Sequence, residues 1–96
     1  MTPDQVLDEF RDADALLEGH FILSSGLHSR TYLQCARVLM DTRRAARLAE
    51  ALAAKIKDNV DIDIDCVVAP AMGGLIIGHE VARALNVDSM FLERVD

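Results

Sequence analysis

The residues Ala69-Pro70-Ala71-Met72-Gly73-Gly74 have the types and order of a loop that can hold an anion. Cys66-Val67-Val68-Ala69 before them reads as a strand, and Leu75 begins an apolar helical pattern. The loop therefore falls at the carboxyl end of a strand, where the unpaired N–H groups and partial positive charge of a helix N-terminus face a crevice. Two successive glycines let the backbone approach a phosphate closely. They also suit a tight strand-to-helix turn that binds nothing. Arg94 follows the next apolar run, Ser89-Met90-Phe91-Leu92, and shares that carboxyl edge if the two strands are parallel. Its guanidinium fits a bidentate contact with phosphate oxygens, or a solvated place beside Glu93 and Asp96.

A second group of polar residues lies in Ser24-Ser25-Gly26-Leu27-His28-Ser29, where hydroxyls and an imidazole share one turn. No acid is spaced to complete a Ser-His-Asp arrangement, so a nucleophilic serine is not supported. Tyr32, the single tyrosine, fits either a core position or a ligand platform. His20, His28 and His79 share no spacing that marks a metal site, and Cys35 and Cys66 lack ligand spacing and read as reduced thiols. Recognition of a small anion is the chemistry these residues could do, beside the plain reading of a strand-to-helix turn and an exposed arginine.

The elements that position them are legible by periodicity. Thr2 and Gln5 form a capping box with Pro3 at the first helical position, and Val6, Phe10, Ala13 and Leu17 recur at helical spacing. This predicts a helix from about Pro3 to Leu17, stopped by Gly19. From His20 to Gln34 the period shortens to about two, which predicts a ribbon of Phe21-Ile22-Leu23, a polar turn and Thr31-Tyr32-Leu33. A second helix starts near Asp41 or Thr42, with Ala45, Leu48, Ala49, Leu52 and Ile56 on one face. Arg43, Arg44, Arg47, Lys55 and Lys57 mostly fall on the other, as a solvated surface. Cys66 is expected in a buried strand, covered on both faces. Leu75 to Leu85 forms the third helix, with Asn86 as its left-handed cap.

The chain has 96 residues and a formal charge of −6, with 51% hydrophobic and 27% charged residues. It is too hydrophobic for a disordered chain and too acidic for a nucleic-acid surface. No signal peptide or membrane-length apolar run is present, which predicts a cytoplasmic protein. A strand, helix and strand within so short a stretch predict a βαβ unit. A parallel sheet ending at Val95-Asp96 would leave an unpaired edge and an uncovered face, so the sequence reads as cut.

The run Gly19-His20-Phe21-Ile22-Leu23-Ser24-Ser25-Gly26-Leu27-His28-Ser29, then Tyr32-Leu33-Gln34, Val67 to Gly74, and Glu93-Arg94 resemble the orotate phosphoribosyltransferases in order and separation. The resemblance covers the whole chain and about the first half of the family's domain. It implies an α/β fold: an N-terminal helix and β-ribbon hood, then the first βαβ unit of a parallel-sheet phosphoribosyltransferase. One partial domain results, with residues 1–40 as the hood and 41–96 as the core part. The implied reaction joins orotate to 5-phosphoribosyl 1-pyrophosphate with Mg²⁺, giving orotidine 5′-monophosphate and pyrophosphate, in a homodimer.

By the same resemblance, Ala71, Met72, Gly73 and Gly74 receive pyrophosphate, and Arg94 contacts it, often across a dimer interface. Tyr32 and Leu33 line the orotate pocket, and Ser24, Ser25 and Gly26 belong to the closing turn. No metal ligand and no catalytic group is assigned here. The mobile loop with its lysine and histidine, and the acidic motif that holds the ribose and 5′-phosphate, are expected after Asp96. Their loss should leave these 96 residues inactive alone. Many members carry lysine where this chain has Ser24, and some where it has Gly73, so backbone donors and Arg94 gain weight. A phosphoribosyltransferase-like binding or assembly module is the alternative reading. A Rossmann domain fits poorly, because Gly73-Gly74 makes no G-x-G-x-x-G pattern.

Overall fold

A computed structural model describes residues 1–95 of the chain. Its contacts divide it into two compact units, Met1–Asp41 and Thr42–Asp96.

In the first unit, helix α1 (Pro3–Asp12) opens on the expected capping box. The Gln5 N–H donates to Thr2 Oγ1 at 3.2 Å, and the Thr2 N–H donates to Gln5 Oε1 at 2.7 Å. The helix ends earlier than the apolar spacing predicts. Asp14 takes a left-handed conformation at φ 56°, the Ala15 N–H donates to Phe10 O at 2.8 Å, and the Asp14 N–H donates to Arg11 O at 3.0 Å. That is a Schellman closure, with an aspartate in the place glycine usually takes and Ala15 fully buried just beyond it.

Leu17 consequently belongs to strand β1 (Leu16–Ile22), not to the helix. β1 pairs antiparallel with β2 (His28–Leu33), with Leu17 opposite Tyr32 and Ile22 opposite His28, so the ribbon is longer than expected. The register shifts between Glu18 and Phe21, as at a β-bulge. A short helix, α2 (Cys35–Leu39), follows with no sequence signal to announce it. It carries the fully buried Val38, and Arg37 Nη1 donates to Asp14 O at 3.0 Å, tying α2 to the end of α1.

The second unit begins with α3 (Thr42–Asn59). Its buried stripe is Ala45, Ala49 and Ala53, while Leu48 and Ile56 are half-buried and Leu52, expected on this face, is exposed. Arg43, Arg47, Lys55 and Lys57 are exposed, and Arg44 is half-buried. Strands β3 (Cys66–Pro70) and β4 (Asp88–Leu92) pair in parallel, from Cys66 opposite Asp88 to Pro70 opposite Leu92. Helix α4 (Leu75–Leu85) connects them and ends on Asn86 at φ 59° and ψ 47°, the left-handed cap that the sequence predicts.

Small residues let these layers meet closely. Gly78, Val81 and Ala82 are the buried positions of α4, and a Cβ placed on Gly78 would lie 2.5 Å from the Cβ of Ala69. Arg83 of α4 bonds Glu80 at 3.0 Å and reaches Glu50 of α3 at 3.6 Å, and the Glu80 bond is the main cause that raises the guanidinium pKa.

Two expectations for the sheet change. Cys66 is half-buried rather than buried, and Val68 is 49% exposed, so β3 is not covered on both faces within these residues. Every residue of β4 is exposed.

Candidate functional site

The loop after β3 is held by hydrogen bonds at both ends. The Ala71 N–H donates to Leu92 O at 2.8 Å, which laces the loop to the last residue of β4. The Gly74 N–H donates to Pro70 O at 2.9 Å, and the Leu75 N–H donates to Met72 O at 3.1 Å. Three donors of the turn are thereby consumed. Among the described residues, the N–H groups of Met72 and Gly73 have no such backbone acceptor. The peptide bond between Ala71 and Met72 is cis.

The two glycines of this loop differ. A Cβ at Gly74 would lie 2.8 Å from both Cδ and O of Pro70, so Gly74 is required by the turn itself. A Cβ at Gly73 would meet nothing within 4 Å, and Met72 beside it is 80% exposed. Close approach of an anion is therefore offered at Met72 and Gly73, whereas Gly74 makes the geometry that aims them. Sequence reading gives both glycines one role, because the Pro70 contact is invisible to it.

Arg94 stands on the same carboxyl edge, two residues past Leu92, whose carbonyl accepts the Ala71 bond. The parallel pairing of β3 and β4 makes that placement possible, as the sequence reading requires. Arg94 is exposed, and Asp96 beside it lies outside the described residues.

In the ribbon, Leu23 and Gly26 close a tight turn, with the Gly26 N–H donating to Leu23 O and the Leu23 N–H donating to Leu27 O, each at 2.8 Å. Gly26 sits at φ 86°, a conformation that side chains disfavour. Ser24 and Ser25 are exposed, and Ser25 Oγ accepts from the Leu27 N–H at 3.4 Å. Tyr32 is 40% exposed and its ring lies 5.7 Å from that of Phe21, so it is partly open rather than a core residue. Leu33 is similarly open.

One arrangement escapes the sequence. His20 and His28, eight residues apart, meet at 2.8 Å between His20 Nε2 and His28 Nδ1, with the rings edge to face. Antiparallel pairing brings them together, and their sequence separation carries no sign of it. Among the described residues no group of three His, Cys, Asp or Glu side chains could hold a metal ion.

A parallel βαβ unit with a glycine-containing loop at its carboxyl edge defines an α/β fold, and solved structures share it. The orotate phosphoribosyltransferase of Aeropyrum pernix superposes with a TM-score of 0.74 at 24% identity, covering 95% of this chain and 51% of that one. The Francisella tularensis enzyme gives 0.70 at 22%, covering 94% and 46%. No family model matches the chain.

The sequence relatives name the particular family. The chain is homologous over its whole length to orotate phosphoribosyltransferases: 69% identical to that of Rhizorhabdus wittichii, 65% to that of Erythrobacter litoralis and, over 98% of the chain, 53% to that of Parvibaculum lavamentivorans. It spans about half the length of these relatives, 49%, 50% and 48%, consistent with their N-terminal half. No described helix is long and apolar enough to cross a membrane.

Proposed function

We propose that this chain is the N-terminal part of an orotate phosphoribosyltransferase, acting in pyrimidine biosynthesis as a cytoplasmic homodimer. The observation that carries the reading is 69% identity across all 96 residues to a curated enzyme of that name. In the reaction, the bond from ribose C1 to the pyrophosphate oxygen breaks and a bond from C1 to the orotate ring nitrogen forms.

This chain's share is to hold the leaving group and to contribute to orotate binding. The open N–H groups of Met72 and Gly73 suit pyrophosphate oxygens, and stabilising that departing charge lowers the barrier. Arg94 adds a planar cation on the same edge. The partly open Tyr32 and Leu33 suit a flat aromatic acid, and Ser24, Ser25 and Gly26 form the turn that closes on the substrates. Mg²⁺ would arrive on the diphosphate oxygens of phosphoribosyl pyrophosphate, since magnesium at substrate phosphates needs few protein ligands. The reading assigns it none in this chain.

The test is the orotate absorbance change on mixing the complete protein with phosphoribosyl pyrophosphate and Mg²⁺, with pyrophosphate release followed in parallel. Turnover by the complete protein and none by these 96 residues is the expected result. An inactive complete protein would favour the binding-module reading instead.

A further inference from the structure

We infer that His20 and His28 form a two-imidazole chelating site for a borderline divalent transition ion such as Zn²⁺ or Ni²⁺, distinct from any magnesium requirement of the phosphoribosyl reaction. The inference rests on the ribbon and stands whether or not the proposed activity holds. His20 Nε2 and His28 Nδ1 are 2.8 Å apart with both side chains exposed. A hydrogen bond between two imidazoles needs one N–H and one lone pair, so each ring already aims a nitrogen at a common point. Moving that proton to the donor ring's other nitrogen, a change of tautomer that leaves both rings neutral, frees two lone pairs there.

The distance fits a metal ion. Two nitrogens at about 2.0–2.1 Å from Zn²⁺, with an angle between about 90° and 110°, stand roughly 2.9–3.4 Å apart. The nitrogens need to part by only a few tenths of an ångström, with each ring turning so that its lone pair leaves the nitrogen–nitrogen line for the ion. Neutral imidazole suits zinc, nickel and copper, whereas magnesium prefers oxygen. Water would complete the coordination, as the rings face solvent.

The backbone supports the pairing. His28 stands opposite Ile22, two residues on from His20, so the histidines are diagonal neighbours across the ribbon. The register shift between Glu18 and Phe21 falls at His20 and re-aims its strand locally. A bound ion would fasten β1 to β2 directly behind the Ser24-Ser25-Gly26 turn, and so restrain that turn.

The experiment is calorimetric titration of the untagged protein with ZnCl₂, repeated with NiCl₂ and with MgCl₂. One zinc or nickel ion per chain should bind, weakened about tenfold or more by His20→Gln and by His28→Gln, but not by His79→Gln. Magnesium should give no heat at the same concentrations. To keep the result independent of folding of the variants, the ring proton resonances of the unaltered protein are followed by NMR during zinc addition. Those of His20 and His28 should move together while those of His79 stay fixed. Absence of binding, binding indifferent to both substitutions, or a response led by His79 would overturn the site.

Discussion

Gly73 and Gly74 are neighbours with opposite tolerances, and that difference is testable one residue at a time. Gly74→Ala drives a methyl into the Cδ and carbonyl of Pro70, both at 2.8 Å. A loss of about 1–3 kcal/mol is expected in urea denaturation. Gly73→Lys meets open space and is expected to change stability by less than about 0.5 kcal/mol. In the complete protein it should tighten pyrophosphate, because it restores a cation at a position where some relatives are expected to carry lysine. Unchanged or weaker pyrophosphate binding would argue that the loop does not face the anion. Arg94 is the paired case. Arg94→Ala in the complete protein should weaken pyrophosphate binding by about tenfold or more, the scale of a lost charge-assisted contact. Arg47→Ala, on exposed α3 surface, should do little. Equal effects of the two on measured pyrophosphate affinity would remove Arg94 from the site.

At the scale of elements, the ends of α1 and α4 both place a non-glycine residue in the left-handed region, and the aspartate of α1 is the testable one. Asp14 holds φ 56° to close the helix, a conformation that glycine adopts at less cost. Asp14→Gly is therefore expected to raise stability by about 0.5–1 kcal/mol, seen as a higher urea midpoint at unchanged slope. A lower midpoint would show that the aspartate side chain contributes more than its backbone costs. The same residue shows how far the sequence could be read. The start of α1, the span of α4 and the Asn86 cap follow from side chains acting on their own backbone neighbours, and such rules are local. The stop of α1 depends on a non-glycine residue accepting a glycine conformation, and helical spacing runs straight through it to Leu17. Helix α2 lacks any side-chain cap bond and is set by the burial of Val38. The His20–His28 contact and the separate roles of the loop glycines arise from tertiary placement, which periodicity does not carry. The placement of the glycine loop at the strand edge was legible because strand, glycines and helix lie consecutively in the chain.

On the scale of the whole molecule, the chain spans about half the length of its relatives and leaves the apolar side chains of β4 open. Phe91 is 58% exposed. Phe91→Asp should cost these 96 residues less than about 1 kcal/mol, because little buried area is lost. In the complete protein the same change should cost about 3 kcal/mol or more, if further structure covers the strand there. Thermal melts of both forms decide it, and small effects in both would mean that nothing packs on that face. A last consequence concerns the history such a molecule can have. Between β3 and α4 there is room for one methyl group, now held by Ala69 and denied to Gly78. The group could be handed across only in one order, Ala69→Gly before Gly78→Ala, since the reverse passes through an ancestor with two methyls in the space of one. Exchange at these two positions must pass through the double glycine in either direction, and sequences of the lineage should show three of the four combinations and lack the fourth.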